Sequence, residues 1–139
     1  MKVTKHCAGI VLSLAGSFLF LSACCPSGPW QDNFGLTYQL ITIPLPPEGD
    51  VFPIAGLADT GDLGCGVWTV EGTSMALEAD RSVELLITNP RPNPDDLCCY
   101  SYHFSGHVDG SGCRFIPGRF ETNDGKCTQS GEMYLLTLR

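Results

Sequence analysis

Cys98 and Cys99 stand side by side, and that doublet constrains the fold more than any other feature of the chain. Neighbours on an extended strand point to opposite faces, so the two thiols are predicted to bond in two directions and draw distant segments together. The chain has 139 residues and eight cysteines, usage that suits a disulfide framework in a short exported chain. Zinc is the rival use of such thiols. It wants them in pairs such as C-x₂-C, close enough to share one tetrahedral ion. Nothing separates Cys98 from Cys99 and no second pair matches, so no metal ligand is assigned. Cys113 and Cys127 bracket a predicted hairpin and are expected to pair, with Cys65 going to Cys98 or Cys99.

The first residues decide which cysteines are available. Met1 to Lys5 is a short positive stretch, and Ala8 to Leu21 carries no charge. A membrane-spanning helix needs about 20 apolar residues; a basic start, a shorter apolar run and small residues at its exit form a removable export signal. Leu21-Ser22-Ala23-Cys24 then resembles the lipobox of bacterial lipoproteins. The resemblance implies cleavage before Cys24, a diacylglyceryl thioether on its sulfur and an acylated new amino terminus. Two or more acyl chains anchor a protein stably where one does not. In that family an aspartate after the lipidated cysteine favours retention in the inner membrane. Here the position is Cys25, so the expected address is the outer membrane of the cell envelope, on its periplasmic or its surface face.

This divides the chain into a signal peptide (1–23), a lipidated tether (24–33) and a single β-domain (34–139). Cys7 leaves with the signal and Cys24 carries lipid. Cys25, Cys65, Cys98, Cys99, Cys113 and Cys127 remain, an even set with fifteen pairings. In this reading Cys24 holds the membrane and Cys25 ties the fold to that anchor. Loss of Lys2 and Lys5 leaves six basic against fifteen acidic side chains, a net charge of −9. So acidic a domain repels nucleic acid; a cationic partner or Ca²⁺ is electrostatically easier.

Phe34 to Ile43 is rich in β-branched and aromatic residues and is predicted to be the first strand. Pro44 to Gly64 follows as a Pro- and Gly-rich connection. Val67 to Val70 is a short strand with Glu71-Gly72 as its turn, and 73–79 with 82–88 form a hairpin. Met75, Ala79, Val83 and Leu86 also have helical spacing, but the flanking turns and composition favour strands. Asn89 to Pro94 holds three prolines and is an exposed loop. In Cys99 to Asp109, Tyr100, Tyr102, Phe104 and Val108 share one face, with Gly106 predicted to mark a bulge or a close backbone approach. Arg114 to Glu121 returns, kinked at Pro117-Gly118, and Met133 to Leu138 ends the domain. About seven strands with frequent turns make an all-β domain, a small antiparallel sandwich or barrel.

Three constellations could carry chemistry. Asp59-Thr60-Gly61 resembles the Asp-Thr-Gly of retropepsin-like aspartic proteases, which would make Asp59 a catalytic carboxylate needing a second copy for its partner. Asp62 follows where that family has Ala or Ser. Asp59, Asp62 and Asp50 could instead hold Ca²⁺, although EF-hand spacing fails. His103 and His107 are about 13 Å apart on a strand and cannot share a metal ion. Finally, Gly66-Val67-Trp68 resembles the Gly-x-Trp of lipocalins, whose tryptophan closes the barrel floor against an arginine, here Arg139. That resemblance implies a barrel-like form that takes a small apolar molecule; without it Trp68 is a core plug. No catalytic residue and no cofactor are assigned. The expectation is a non-enzymatic binding or structural module of the envelope, contacting a protein or small molecule through loops 44–64 and 89–97. The alternatives are an Asp59-dependent hydrolase and a Ca²⁺-stabilised adhesion or inhibitor module.

Overall fold

A computed structural model describes residues 26–43, 51–76, 80–109 and 113–138. Among them run eight strands: β1 (Gly28–Asp32), β2 (Thr37–Thr42), β3 (Val51–Asp59), β4 (Val67–Ala76), β5 (Asp80–Thr88), β6 (Ser101–Asp109), β7 (Phe115–Asn123) and β8 (Thr128–Thr137). Each pairs antiparallel with the next, and β8 returns to β1 through Trp30↔Thr137, Gln31↔Leu136 and Asp32↔Leu135, so the sheet closes into a barrel. Closure removes both sheet edges, which answers the aggregation hazard of an exposed edge strand.

Period-2 alternation decides which side chains enter. Tyr38, Leu40 and Thr42 on β2, and Val83, Leu85 and Ile87 on β5, are all buried, while Gln39, Ile41 and Leu86 between them are exposed. All of these inward residues except Thr42 meet Trp30, Trp68, Phe104, Ile116, Met133 and Leu135 in one apolar cluster. An eight-stranded barrel is just wide enough for side chains to fill, and here they fill it.

A ring this tight brings backbones close together on its inner side. A Cβ on Gly72 would stand 2.0 Å from the carbonyl oxygen of Glu84, and one on Gly56 would stand 2.2 Å from that of Gln39. Gly106 and Gly118 face each other across β6 and β7, against the Phe104 ring. A Cβ on Gly106 would meet the Phe104 ring and the Ile116 side chain, so this glycine makes room for core side chains where a bulge or a close backbone approach is expected.

The structure corrects four expectations about elements. Residues 28–32, taken as tether, are β1, and the strand expected over 34–43 is shortened to β2. Residues 51–59 of the expected long connection are β3, with Pro53 inside it. Ile43 N–H donates to the Pro53 carbonyl just past the end of β2, so the missing proline donor faces a ladder that is already ending. Glu71-Gly72 is not a turn but the middle of the ten-residue β4. Pro117-Gly118 lies within β7, with Pro117 beyond the last paired residues of β6 and β7.

The barrel has two unlike ends. At one, the chain enters: Pro26 and Ser27 are held by Thr42, whose hydroxyl donates to the Pro26 carbonyl (2.5 Å) and whose N–H donates to Ser27 Oγ (3.0 Å). The β2–β3, β4–β5 and β6–β7 connections leave from this end. At the far end lie the connections 33–36, 60–66, 89–100 and 124–127.

Candidate functional site

The far end is where the polar chemistry and two disulfides between described residues collect. Its base is a buried carboxylate. Asp32 Oδ1 accepts the N–H groups of Phe34 (2.9 Å) and Leu36 (3.0 Å), turning the chain from β1 into β2, and Oδ2 accepts the Tyr38 hydroxyl (2.7 Å). The Tyr38 and Tyr102 hydroxyls are 2.5 Å apart. A carboxylate only accepts, so with Asp32 ionised Tyr38 donates to it and Tyr102 donates to Tyr38. Burial pushes the Asp32 carboxyl up, with the bonds from Tyr38, Leu36 and Phe34 pulling the other way. Burial also raises both phenols, which stay protonated donors. Asp32→Ala is expected to cost about 2–3 kcal/mol, because it leaves buried donors unpaired. Asp32→Asn keeps the acceptor for the two N–H groups and is expected to cost less than half as much. Equal melting temperatures for the two variants would remove this role.

Trp68 plugs the same end. Its Nε1 donates to the Cys65 carbonyl (2.9 Å) and its ring lies 5.9 Å from that of Tyr102. Arg139, expected to pack on it, lies outside the described residues. A second Gly-x-Trp, Gly28-Pro29-Trp30, opens β1, and its indole is fully buried.

Two disulfides fasten the loops above. Cys65 bonds Cys98, one of the two partners expected, while Cys99 bonds Cys127. The doublet does bond in two directions. The expected Cys113–Cys127 bridge does not form. Cys113 precedes β7 and Cys127 follows it, so nine residues of strand, about 30 Å, separate them, far beyond disulfide reach. Cys113 is disulfide-bonded as well. Cys24 and Cys25 lie outside the described residues.

Asp124 binds the last two loops together. Its Oδ2 accepts the N–H groups of Tyr100 (2.6 Å) and Ser101 (2.9 Å), and its Oδ1 those of Lys126 (2.9 Å) and Cys127 (2.8 Å). Desolvation works against the charge, yet these four donors hold the carboxyl well below the usual carboxylate range. Lys126 Nζ reaches the Asn93 carbonyl (2.5 Å) and Asp96 Oδ1 (2.8 Å) over the Tyr100 ring. A shallow groove beside them is lined by Leu86, Thr88, Asn89, Pro92, Tyr100 and Ser101.

The residues singled out in sequence are placed as follows. Asp59 is exposed and its Oδ1 accepts the Gly61 N–H (2.9 Å), while the Thr60 hydroxyl donates to the Gly66 carbonyl (2.8 Å). The triplet builds the 60–66 loop. Asp62 is exposed in the short 3₁₀ turn Gly61–Leu63, and Asp50 lies outside the described residues. Among those residues no three His, Cys, Asp or Glu side chains converge. His103 and His107 sit on the outer face of β6. Glu84 joins His103 (2.9 Å) to Ser105 (2.7 Å), so the serine bonds the carboxylate and not the imidazole.

Two side chains stand apart at this end. Leu97 is 99 % exposed and Leu63 63 % exposed, one just before Cys98 and the other two residues before Cys65. Asp59, Asp62 and Asp95 at the same end are exposed as well. Sequence reading missed Asp32, Tyr38, Tyr102 and the two leucines; the turn-forming string Asp32-Asn33-Phe34-Gly35 was the one local signal. No protein-family model matches the chain, and no curated protein matches it.

Proposed function

We propose that this chain is a non-enzymatic lipoprotein of the outer membrane. Cys24 carries the lipid, and the far end of the barrel binds a protein partner. The carrying observation is Leu97, fully exposed in the loop that the Cys65–Cys98 bridge ties to the loop bearing the exposed Leu63. A loop backbone held by a covalent clamp loses little freedom on docking, the condition under which a small contact binds well. The acidic rim favours a partner whose apolar socket is bordered by lysine or arginine. Side chains occupy the barrel interior, so contact falls to its outer surface.

Cys25 fits this reading as the partner of Cys113, because the other four cysteines of the mature chain pair among themselves. Pro26, next to Cys25, is held at the end of the barrel where β7 begins. That bridge would join the domain directly to its anchor.

The test places a photo-crosslinking residue at position 97 in the full-length chain, with position 69 on the barrel wall as control. A discrete adduct at 97 alone, lost with Leu63→Ser and weakened about tenfold or more by raising salt from 50 to 500 mM, is the expected result. The same adducts from both positions would overturn it.

A further inference from the structure

Beside the chain entrance the outer wall carries an apolar face. Phe115 opens β7 and Leu136 lies opposite it on β8, each about 45 % exposed. Tyr134 packs its ring 5.5 Å from that of Phe115 and pairs with Pro117. Leu138 follows β8, with its N–H on the carbonyl of Pro29 in β1, and both are exposed. These six residues form one patch across β7, β8 and β1, at the end where Pro26 is bound to Thr42.

We propose that this patch rests on the lipid surface that holds the anchor. The inference depends on lipidation at Cys24, as proposed above. Cys24 precedes Pro26 by two residues, and two residues reach at most about 7 Å. Pro26 is itself fixed to the rim, so the membrane lies within that distance of the patch's end of the barrel. Phe and Tyr at the headgroup level and Leu below them are what an interfacial face requires. Arg114 precedes Phe115 and is exposed.

The experiment uses the full chain made with its own leader, purified in detergent and reconstituted into phosphatidylethanolamine–phosphatidylglycerol vesicles with brominated acyl chains. Tyr134→Trp adds a reporter in the patch, and Phe34→Trp adds one at the far end. The Tyr134→Trp emission is expected to be quenched at least about threefold more than that of Phe34→Trp, and Phe115→Ser with Leu136→Ser to abolish the difference. Intact mass separates the two ways of failing. A lipidated protein whose two reporters are quenched alike overturns the docking alone, including the case in which a second copy covers the patch. A protein without lipid overturns the anchor and the docking with it.

Discussion

Reduction of the disulfides is expected to unfold the barrel at 37 °C. The bridges Cys65–Cys98 and Cys99–Cys127 close loops with sequence separations of 33 and 28. In the chain-entropy account, loops of that size restrict the unfolded chain by about 3.5–4 kcal/mol each. The loops abut without overlapping, since one ends at Cys98 and the next starts at Cys99, so their effects should add. The sum, about 7 kcal/mol, is comparable with the whole stability of a typical small domain. We expect the melting temperature to fall by at least about 25 °C in a thiol reductant, at roughly 4 °C or more per kcal/mol. Circular dichroism against an alkylated, reduced control measures it. Paired replacement of Cys65 and Cys98 by alanine, or of Cys99 and Cys127, should each lower the melting temperature by about 14 °C, from about 3.5 kcal/mol per bridge. A fall of less than about 5 °C on full reduction would show that the native contacts alone hold the barrel, contrary to the entropic estimate.

Those contacts have a local component, which is why the effect of each bridge alone is the informative number. The Cys99–Cys127 bridge lies beside Asp124, whose four N–H donors come from both loops it joins. Lys126 spans the same pair of loops through Asn93 and Asp96. The 60–66 loop is tied differently. Thr60 closes it onto Gly66, and the described residues show the Cys65–Cys98 bridge as its link to loop 89–100. Loss of that bridge should free the loops that carry Leu63 and Leu97 from each other before the barrel melts. Partner binding would then fail at a reductant concentration that leaves the far-ultraviolet spectrum intact.

What was legible in the sequence followed from local rules. The β6 face of Tyr102, Phe104 and Val108 alternates cleanly, and it is inward in the barrel. The turn at Asn123-Asp124-Gly125 and the exposed loop after Asn89 stand where their residue types place them. What was illegible depended on neighbours far along the chain. Pro53 reads as a strand breaker until β2 is known to stop opposite it. Gly28-Pro29 reads as tether until β8 arrives to pair with Trp30 and Gln31. The Asp32 turn is visible, but Tyr102 joins it across 64 residues, and that distance vanishes once the sheet closes. The Cys113–Cys127 error has the same root. Bracketing a turn in sequence says nothing about which end of the barrel each thiol occupies.

Gly72 shows that dependence most sharply, and Gly72→Ala is expected to cost about 4 kcal/mol or more. The turn reading treats Gly72 as a hinge, where alanine should be mild. In the barrel it sits opposite Leu85 in the middle of β4 and β5. A Cβ there meets Glu84 O at 2.0 Å and Leu85 Cδ2 at 3.0 Å. A leucine tip can turn aside; a ladder carbonyl cannot. Ordinary non-bonded contact needs more than 3 Å, so β5 would have to retreat by about 1 Å and stretch its hydrogen bonds to β4. Overpacked cores usually lose about 1–3 kcal/mol, and a backbone obstacle places Gly72 beyond that range. Gly131→Ala is the matched control, since its Cβ meets the Phe120 ring edge at 3.1 Å with no backbone atom near, and it should cost about 1 kcal/mol or less. Chemical denaturation of both variants decides the matter. A Gly72→Ala protein as stable as Gly131→Ala would mean that β4 and β5 separate without penalty, and that the barrel is looser than its closed ladder requires.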